Sequence, residues 1–127
     1  MKQIEITLPE LQYQAREKIK ELRTNLMFAP EGTQVIMITS CVTNEGKSSI
    51  AVQLAKALAE LRYNTLLIDA DLRKSVMERY TGAQGVEYGL SHFLSGQCGL
   101  TDALNSTNIP NLSLIFSGVF PPNPAEL

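Results

Sequence analysis

The sequence predicts an α/β fold of three layers, α/β/α, built on a mostly parallel sheet. Three observations carry this. Two short apolar runs, "VIMITS" at residues 35–40 and "TLLID" at residues 65–69, have the continuous hydrophobicity of strands buried on both faces. Residues 47–63 between them read as a helix with Ile50, Leu54, Leu58 and Leu61 on its inner face. Strand, helix and strand within about 35 residues make a right-handed βαβ unit with parallel strands.

The elements follow in order. Thr7, Pro9 and Glu10 have the spacing of a capping box with proline just inside a helix start. Leu11, Ala15, Ile19, Leu22 and Leu26 then recur at helical intervals and give one apolar stripe. Arg16, Glu17, Lys18, Lys20, Glu21 and Arg23 take the other faces, and Pro30 and Gly32 end the helix. After the first βαβ unit, with a turn at Asn64, a short helix is predicted over residues 75–80. A glycine-punctuated loop, "TGAQGVEYG", comes next. Short helices are expected over residues 91–94 and 100–104, and a third buried strand over residues 112–116 after the turn signal "NIPN". The proline-rich "SGVFPPNPAEL" closes the sequence and opens another helix at Pro124. Domains of this kind carry more than three strands, so the sequence reads as the N-terminal portion of a longer domain, truncated before its last strands. Residues 1–33 form an N-terminal helical element and residues 34–127 the first part of the α/β domain.

Bulk properties agree with a soluble single domain. At 127 residues the chain holds at most one domain, and 44% hydrophobic with 19% charged residues is ordinary globular composition. A formal net charge of -2 supplies no basic field for nucleic acid or anionic lipid. No apolar run reaches the roughly 18 residues of a membrane span, and the N-terminus lacks an apolar leader core. Cys41 and Cys98 lie far apart and outside any CxxC spacing, which fits reduced thiols in a cytoplasm.

The chemistry sits in "SCVTNEGKSS", residues 40–49. It follows the phosphate-loop pattern of a glycine, four residues and Gly-Lys-Ser, with Cys41 in the place of the first glycine. Gly46 lets the backbone approach a phosphate without a Cβ in the way. Loop amides from Thr43, Asn44, Glu45 and Gly46, and the N-terminus of the helix at Lys47, Ser48 and Ser49, offer donors and a positive dipole end to an anion. Lys47 is expected to reach the β- and γ-phosphates of ATP, and the Ser48 hydroxyl to ligate Mg2+. A bare Gly-Lys-Ser is a weak signal; one set between a buried strand and an amphipathic helix is strong. The fold class is therefore P-loop NTPase-like. The competing reading is a plain strand-to-helix turn with an exposed lysine.

"LLIDADLRKS" is the second motif. Asp69 and Asp71, two residues apart at a strand's carboxyl end, face the same way if the extended backbone continues through Ala70. Carboxylates at that edge can hold Mg2+ through its waters or take a proton from an attacking hydroxyl. Arg73 is placed to touch phosphate or pair with an aspartate. A capping aspartate followed by solvated charges is the bland alternative. Ser117 and Gly118, after the third strand, share that edge and either line the site or form a simple loop. His92, the one histidine, stands outside any Ser/Asp or metal-ligand constellation and reads as a surface helix position.

Taken in order, the phosphate loop, "LLIDADLRKS", "GLSHFLSG" and "SGVFPPNPAEL" resemble the bacterial tyrosine autokinases of capsular and exopolysaccharide synthesis. The resemblance runs from about Arg23 to the last residue. It implies a protein-tyrosine kinase using ATP and Mg2+, with Cys41 to Ser48 as the Walker A motif and Asp69, Asp71 and Arg73 carrying the second. By that analogy Asp69 acts as base on the tyrosine hydroxyl, and both aspartates help to order Mg2+. The family's Glu-x-x-Arg-x-x-Arg oligomer contact falls on Glu17, Lys20 and Arg23, with lysine in place of the middle arginine and its bidentate fork. A solvated helix face is the other reading of those three residues. Also implied are a homo-oligomer, a cytoplasmic kinase recruited to the inner face of the membrane by a transmembrane polysaccharide co-polymerase, protein-tyrosine substrates and no nucleic acid.

This sequence departs from the family in three ways: the third motif and the C-terminal tyrosine cluster are absent, and Ser75 stands where many members have proline. These 127 residues alone are expected to be inactive as a kinase. The alternative reading is a partitioning or septum-positioning ATPase whose nucleotide state switches dimerisation and partner binding. Such ATPases place a signature lysine near the loop's start, where this sequence has Val42. A nucleotide-binding scaffold without turnover is a third option.

Overall fold

A computed structural model describes residues 1–38, 47–72 and 76–119, with Lys47 and Ser48 in backbone only. The elements are β1 (Lys2–Ile4), α1 (Tyr13–Met27), α2 (Lys47–Glu60), β2 (Thr65–Ile68), α3 (Met77–Thr81), α4 (Leu90–Leu94), α5 (Leu100–Ala103), β3 (Asn105–Thr107) and β4 (Leu112–Ile115). The four strands form one sheet in the order β1-β3-β4-β2. β1 runs parallel to β3 and β2 parallel to β4, while β3 and β4 pair antiparallel.

The N-terminus differs from the expected helix start. Residues 2–8 are mostly extended because Ile4, Ile6 and Leu8 alternate with polar residues, a period that buries one side of a strand. Ile4 and Ile6 are buried, and the Asn108 side chain brackets Ile6. Its Oδ1 accepts from the Ile6 amide at 2.7 Å and its Nδ2 donates to the Ile6 carbonyl at 3.1 Å. The Thr7 amide donates to the Thr81 carbonyl at 2.9 Å. With that backbone committed, α1 begins only at Tyr13, after an extended Gln12. Of the predicted stripe only Ile19 is buried; Leu11 and Leu26 are half-buried, and Ala15 and Leu22 are exposed.

The strand expected at residues 35–40 does not appear in its described part. Val35 and Met37 are 88% and 87% exposed, outside the sheet. β2 instead pairs directly with β4, Thr65 against Leu112 through Ile68 against Ile115. The parallel pair is therefore β2 with β4. Residues 39 and 40 of the expected strand lie outside the described residues.

α2 packs on α1, α3 and the sheet, and this explains a second difference. Its core-facing residues are Val52, Ala55 and Ala59, with Leu54 also buried; Leu58 is half-buried, and Ile50 and Leu61 are exposed. A helix covered on several sides is not read correctly from its largest side chains, and its alanines let it approach the strands closely. The core joins these residues to Ile4, Ile6, Met77, Leu112, Leu114 and Phe116. Buried Gln53 ties three segments together, donating Nε2 to the Pro9 carbonyl at 3.2 Å and to the Tyr80 hydroxyl at 2.9 Å.

The remaining helices stand close to their expected places. α3 stops at Gly82, whose φ of 66° is the left-handed cap that glycine adopts without a Cβ penalty. α5 begins where the Asp102 carboxylate accepts from the Gly99 amide at 2.9 Å. β3, "NST", is a short polar strand with no apolar signal. It forms because Asn105 is buried between neighbours, its Nδ2 donating to the carbonyls of Ala103 and Leu114.

Candidate functional site

Topology brings the site residues to one end of the sheet. α2 leads through a short turn into β2 and packs against it, so the start of α2 and the end of β2 share an end. β4 runs parallel to β2, so its exit lies there too: the Asp69 amide donates to the Ile115 carbonyl at 2.9 Å. This is the carboxyl edge of the strands, where open α/β sheets bind ligands.

Asp69 is 5% exposed and Asp71 half-buried. β2 ends at Ile68, and the Asp69 Oδ1 accepts from the Asp71 amide at 3.1 Å. That bond closes an Asx turn. Regular strand pairing stops at Ile68, and this bond joins the two aspartates side chain to backbone. Both remain beside the β4 exit, where Ser117 is buried. Among the described residues no group of three or more His, Cys, Asp or Glu side chains gathers to hold a metal. A few hard oxygen ligands with waters in the other positions is the usual way a protein holds Mg2+, so Asp69 and Asp71 fit that ion better than a closed cage would.

Lys47 and Ser48 open α2, and Ser49 in its first turn is half-buried. Thr43, Asn44, Glu45, Gly46 and Arg73 lie outside the described residues, as do Cys41, Val42, Ser75 and Pro124. The three residues of the expected oligomer contact lie on α1. Glu17 and Lys20 pair with each other at 3.7 Å on its exposed surface. Arg23 is half-buried and donates Nη1 to the Ala57 carbonyl on α2 at 3.3 Å. Two surface clefts, of about 320 and 360 Å³, lie away from the carboxyl edge. One surrounds Asn64, Pro110 and Asn111 at the opposite ends of β2 and β4, the other Arg16, Lys20 and Gln53 between α1 and α2.

A contact that the sequence reading missed completes this edge. The N-terminus of α4 closes on the exit of β4, with the amides of Leu90 and Ser91 donating to the carbonyls of Phe116 and Ser117 at 2.7 and 2.9 Å. Gly89 and Gly118 meet backbone to backbone, and a Cβ on Gly89 would lie 2.3 Å from the Gly118 nitrogen. Backbone cannot swing aside as a side chain can, so Gly89→Ala is expected to cost about 3 kcal/mol or more. Thermal unfolding measures it; an unchanged midpoint would contradict this close approach. His92, read as an ordinary surface position, is half-buried, and its Nδ1 accepts from the Gly89 amide at 2.9 Å. The histidine three residues after a glycine was the available signal, since the third helical position is where capping-box side chains reach back.

Cys98 shows no reactive character. Desolvation, and then the Asp102 carboxylate, push its thiol above the ordinary range. The thiolate is the nucleophile, so Cys98 is expected to alkylate more slowly at neutral pH than a free cysteine. Asp102→Asn should speed the reaction in part, because the desolvation remains. Iodoacetamide kinetics followed by mass spectrometry check this.

Residues 36–117 match the family model described as the CobQ/CobB/MinD/ParA nucleotide binding domain. The chain therefore belongs to that nucleotide-binding family. Proteins similar to it include bacterial tyrosine kinases. It is 42% identical over 111 residues to tyrosine-protein kinase CpsD of Streptococcus agalactiae, covering 87% of this chain and 48% of the relative. Against tyrosine-protein kinase CpsD of Streptococcus pneumoniae it is 38% identical, over 100% of this chain and 57% of the relative. Among solved structures, the BceF tyrosine kinase domain aligns with a TM-score of 0.77 at 40% identity, over 87% of this chain and 44% of that one. The kinase domain of Escherichia coli tyrosine kinase ETK aligns at 0.80 and 33% identity, over 87% and 44% of the two chains. The chain spans about half the length of the curated relatives it matches.

Proposed function

We propose that the protein containing this chain is an ATP-dependent protein-tyrosine autokinase that regulates capsular or exopolysaccharide synthesis and export. One observation carries the reading. The start of α2, with its Gly-Lys-Ser sequence, shares a sheet edge with Asp69, Asp71 and Ser117, in a chain 42% identical to a tyrosine-protein kinase.

In this reading the loop of Thr43, Asn44, Glu45 and Gly46, with Lys47, Ser48 and Ser49, cradles the nucleotide's phosphates, and Arg73 adds a second cation. Lys47 draws charge from the β- and γ-phosphates. Asp69 receives the proton of the attacking tyrosine hydroxyl, whose oxygen forms the new P–O bond as ADP leaves. Ser48, Asp69 and Asp71 would hold Mg2+, which neutralises phosphate charge when bound. Catalysis is positioning and charge stabilisation, with little covalent chemistry for the protein to do. Residues 1–33 supply, through Glu17, Lys20 and Arg23 on α1, the contact of a homo-oligomer. No helix among the described residues is long and apolar enough to cross a membrane. The reading places the kinase in the cytoplasm, brought to the inner face of the membrane by a polysaccharide co-polymerase that activates it. Val42, at the position of the signature lysine of partitioning ATPases, favours the kinase over that alternative.

The test is to express the full-length protein with the cytoplasmic part of its membrane partner, add ATP and Mg2+, and probe phosphotyrosine. ATP hydrolysis without any phosphotyrosine would reject the kinase reading and favour the switch ATPase.

A further inference from the structure

We infer that His92 is a positioning residue for the nucleotide site: by capping α4 it fixes where Ser117 and Gly118 leave the sheet. This rests on the nucleotide reading of the carboxyl edge. The Gly89 amide is a donor, so the Nδ1 that receives it at 2.9 Å carries a lone pair. The imidazole is then neutral, with its proton on Nε2. The bond holds the first turn of α4 together, and that turn presents the Leu90 and Ser91 amides to the Phe116 and Ser117 carbonyls.

Three further contacts show that the β4 exit has little freedom once α4 is capped. Gly118 takes a φ of 85°, in the left-handed region. A Cβ there would come within 2.6 Å of the Ser91 Oγ, 3.0 Å of the His92 Nδ1 and 3.1 Å of the Gly89 Cα. The buried Ser91 hydroxyl has no hydrogen-bond partner among the described residues, so it lies against Gly118 by packing alone. The backbone that passes through this vice at Gly118 is three residues from Ile115, which holds the Asp69 amide. A shift of the α4 turn is thus carried to the strand exit beside the candidate base.

Beside the cap, the Tyr88 ring meets the imidazole edge-on at 5.5 Å between centroids. α5, packed on α4, carries Asp102, which caps its own helix through Gly99, with Cys98 in the turn between.

The experiment measures fluorescent ADP binding and backbone amide exchange in the full-length protein. His92→Leu is expected to weaken ADP binding about tenfold and to lower protection at Gly89 and Gly118 together. His92→Gln, whose amide oxygen closes a capping box, should stay within about twofold of wild type. The inference is overturned if His92→Gln is as weak as His92→Leu, or if His92→Leu binds like wild type. Should His92→Leu fail to fold, His92→Ala, which also lacks the capping acceptor, replaces it in both readouts. A wild type that binds no ADP would reject the nucleotide reading by itself; Gly118 exchange in His92→Leu against His92→Gln would then still show whether His92 holds the β4 exit.

Discussion

Lys47→Met in the full-length protein is expected to lower phosphotyrosine formation by at least about 100-fold, the scale at which a preorganised charge is lost from a phosphoryl-transfer site. Lys47 is the first residue of α2, where four backbone amides lack a partner inside the helix. Those amides and the helix dipole remain in the variant, so some nucleotide binding should survive. What disappears is the Lys47 charge, which leaves Arg73 as the other side-chain cation of the proposed site. Methionine keeps the unbranched apolar stem and a high helix propensity, which limits any effect on folding. Immunoblotting for phosphotyrosine and ADP titration separate the two effects. If Lys47→Met matched wild type in phosphotyrosine yield, the phosphate-loop assignment would fall.

What the sequence shows of this molecule depends on how directly burial decides each element. β2 and β4 were legible because "TLLI" and "LSLI" are apolar runs bounded by turns. α2 was legible as a helix, yet its buried face was not. Large residues such as Ile50 and Leu61 were expected inside, whereas contact with α1, α3 and the sheet selects Val52 and the alanines. β1 is hard to see in the sequence because the Ile4–Ile6–Leu8 alternation is short and runs straight into the Thr7–Glu10 capping pattern. β3 carries no apolar signal, and its strand state comes from partners distant in sequence, Lys2 and Leu114 among them. Local propensity loses there to tertiary pairing. The site divides along the same line. Asp69 and Asp71 announced themselves by their place after a strand. His92, Gly89 and Gly118 did not, because their significance is a contact between segments nearly 30 residues apart.

Asp69→Asn should separate the chemistry of the second motif from its architecture. The Asp69 Oδ1 accepts from the Asp71 amide at 3.1 Å, and the Asp69 amide is held by Ile115. Asparagine presents the same oxygen, so it can keep the Asx turn while removing charge and basicity. ADP affinity in the full-length protein should therefore change only a few fold. Phosphotyrosine formation should drop about 1000-fold, within the range for loss of a general base. Asp69→Ala removes the turn bond as well and is expected to cost a further 1–2 kcal/mol or so of stability. Asp71→Asn makes the assignment selective. Asp71 is more exposed than Asp69, so its loss should slow transfer only about tenfold and weaken the dependence on Mg2+ concentration. Initial rates of phosphotyrosine formation across a Mg2+ series distinguish the two. A larger defect in Asp71→Asn than in Asp69→Asn would move the base from the buried carboxylate to the half-buried one, and the Asx turn would then serve to aim Asp71 instead.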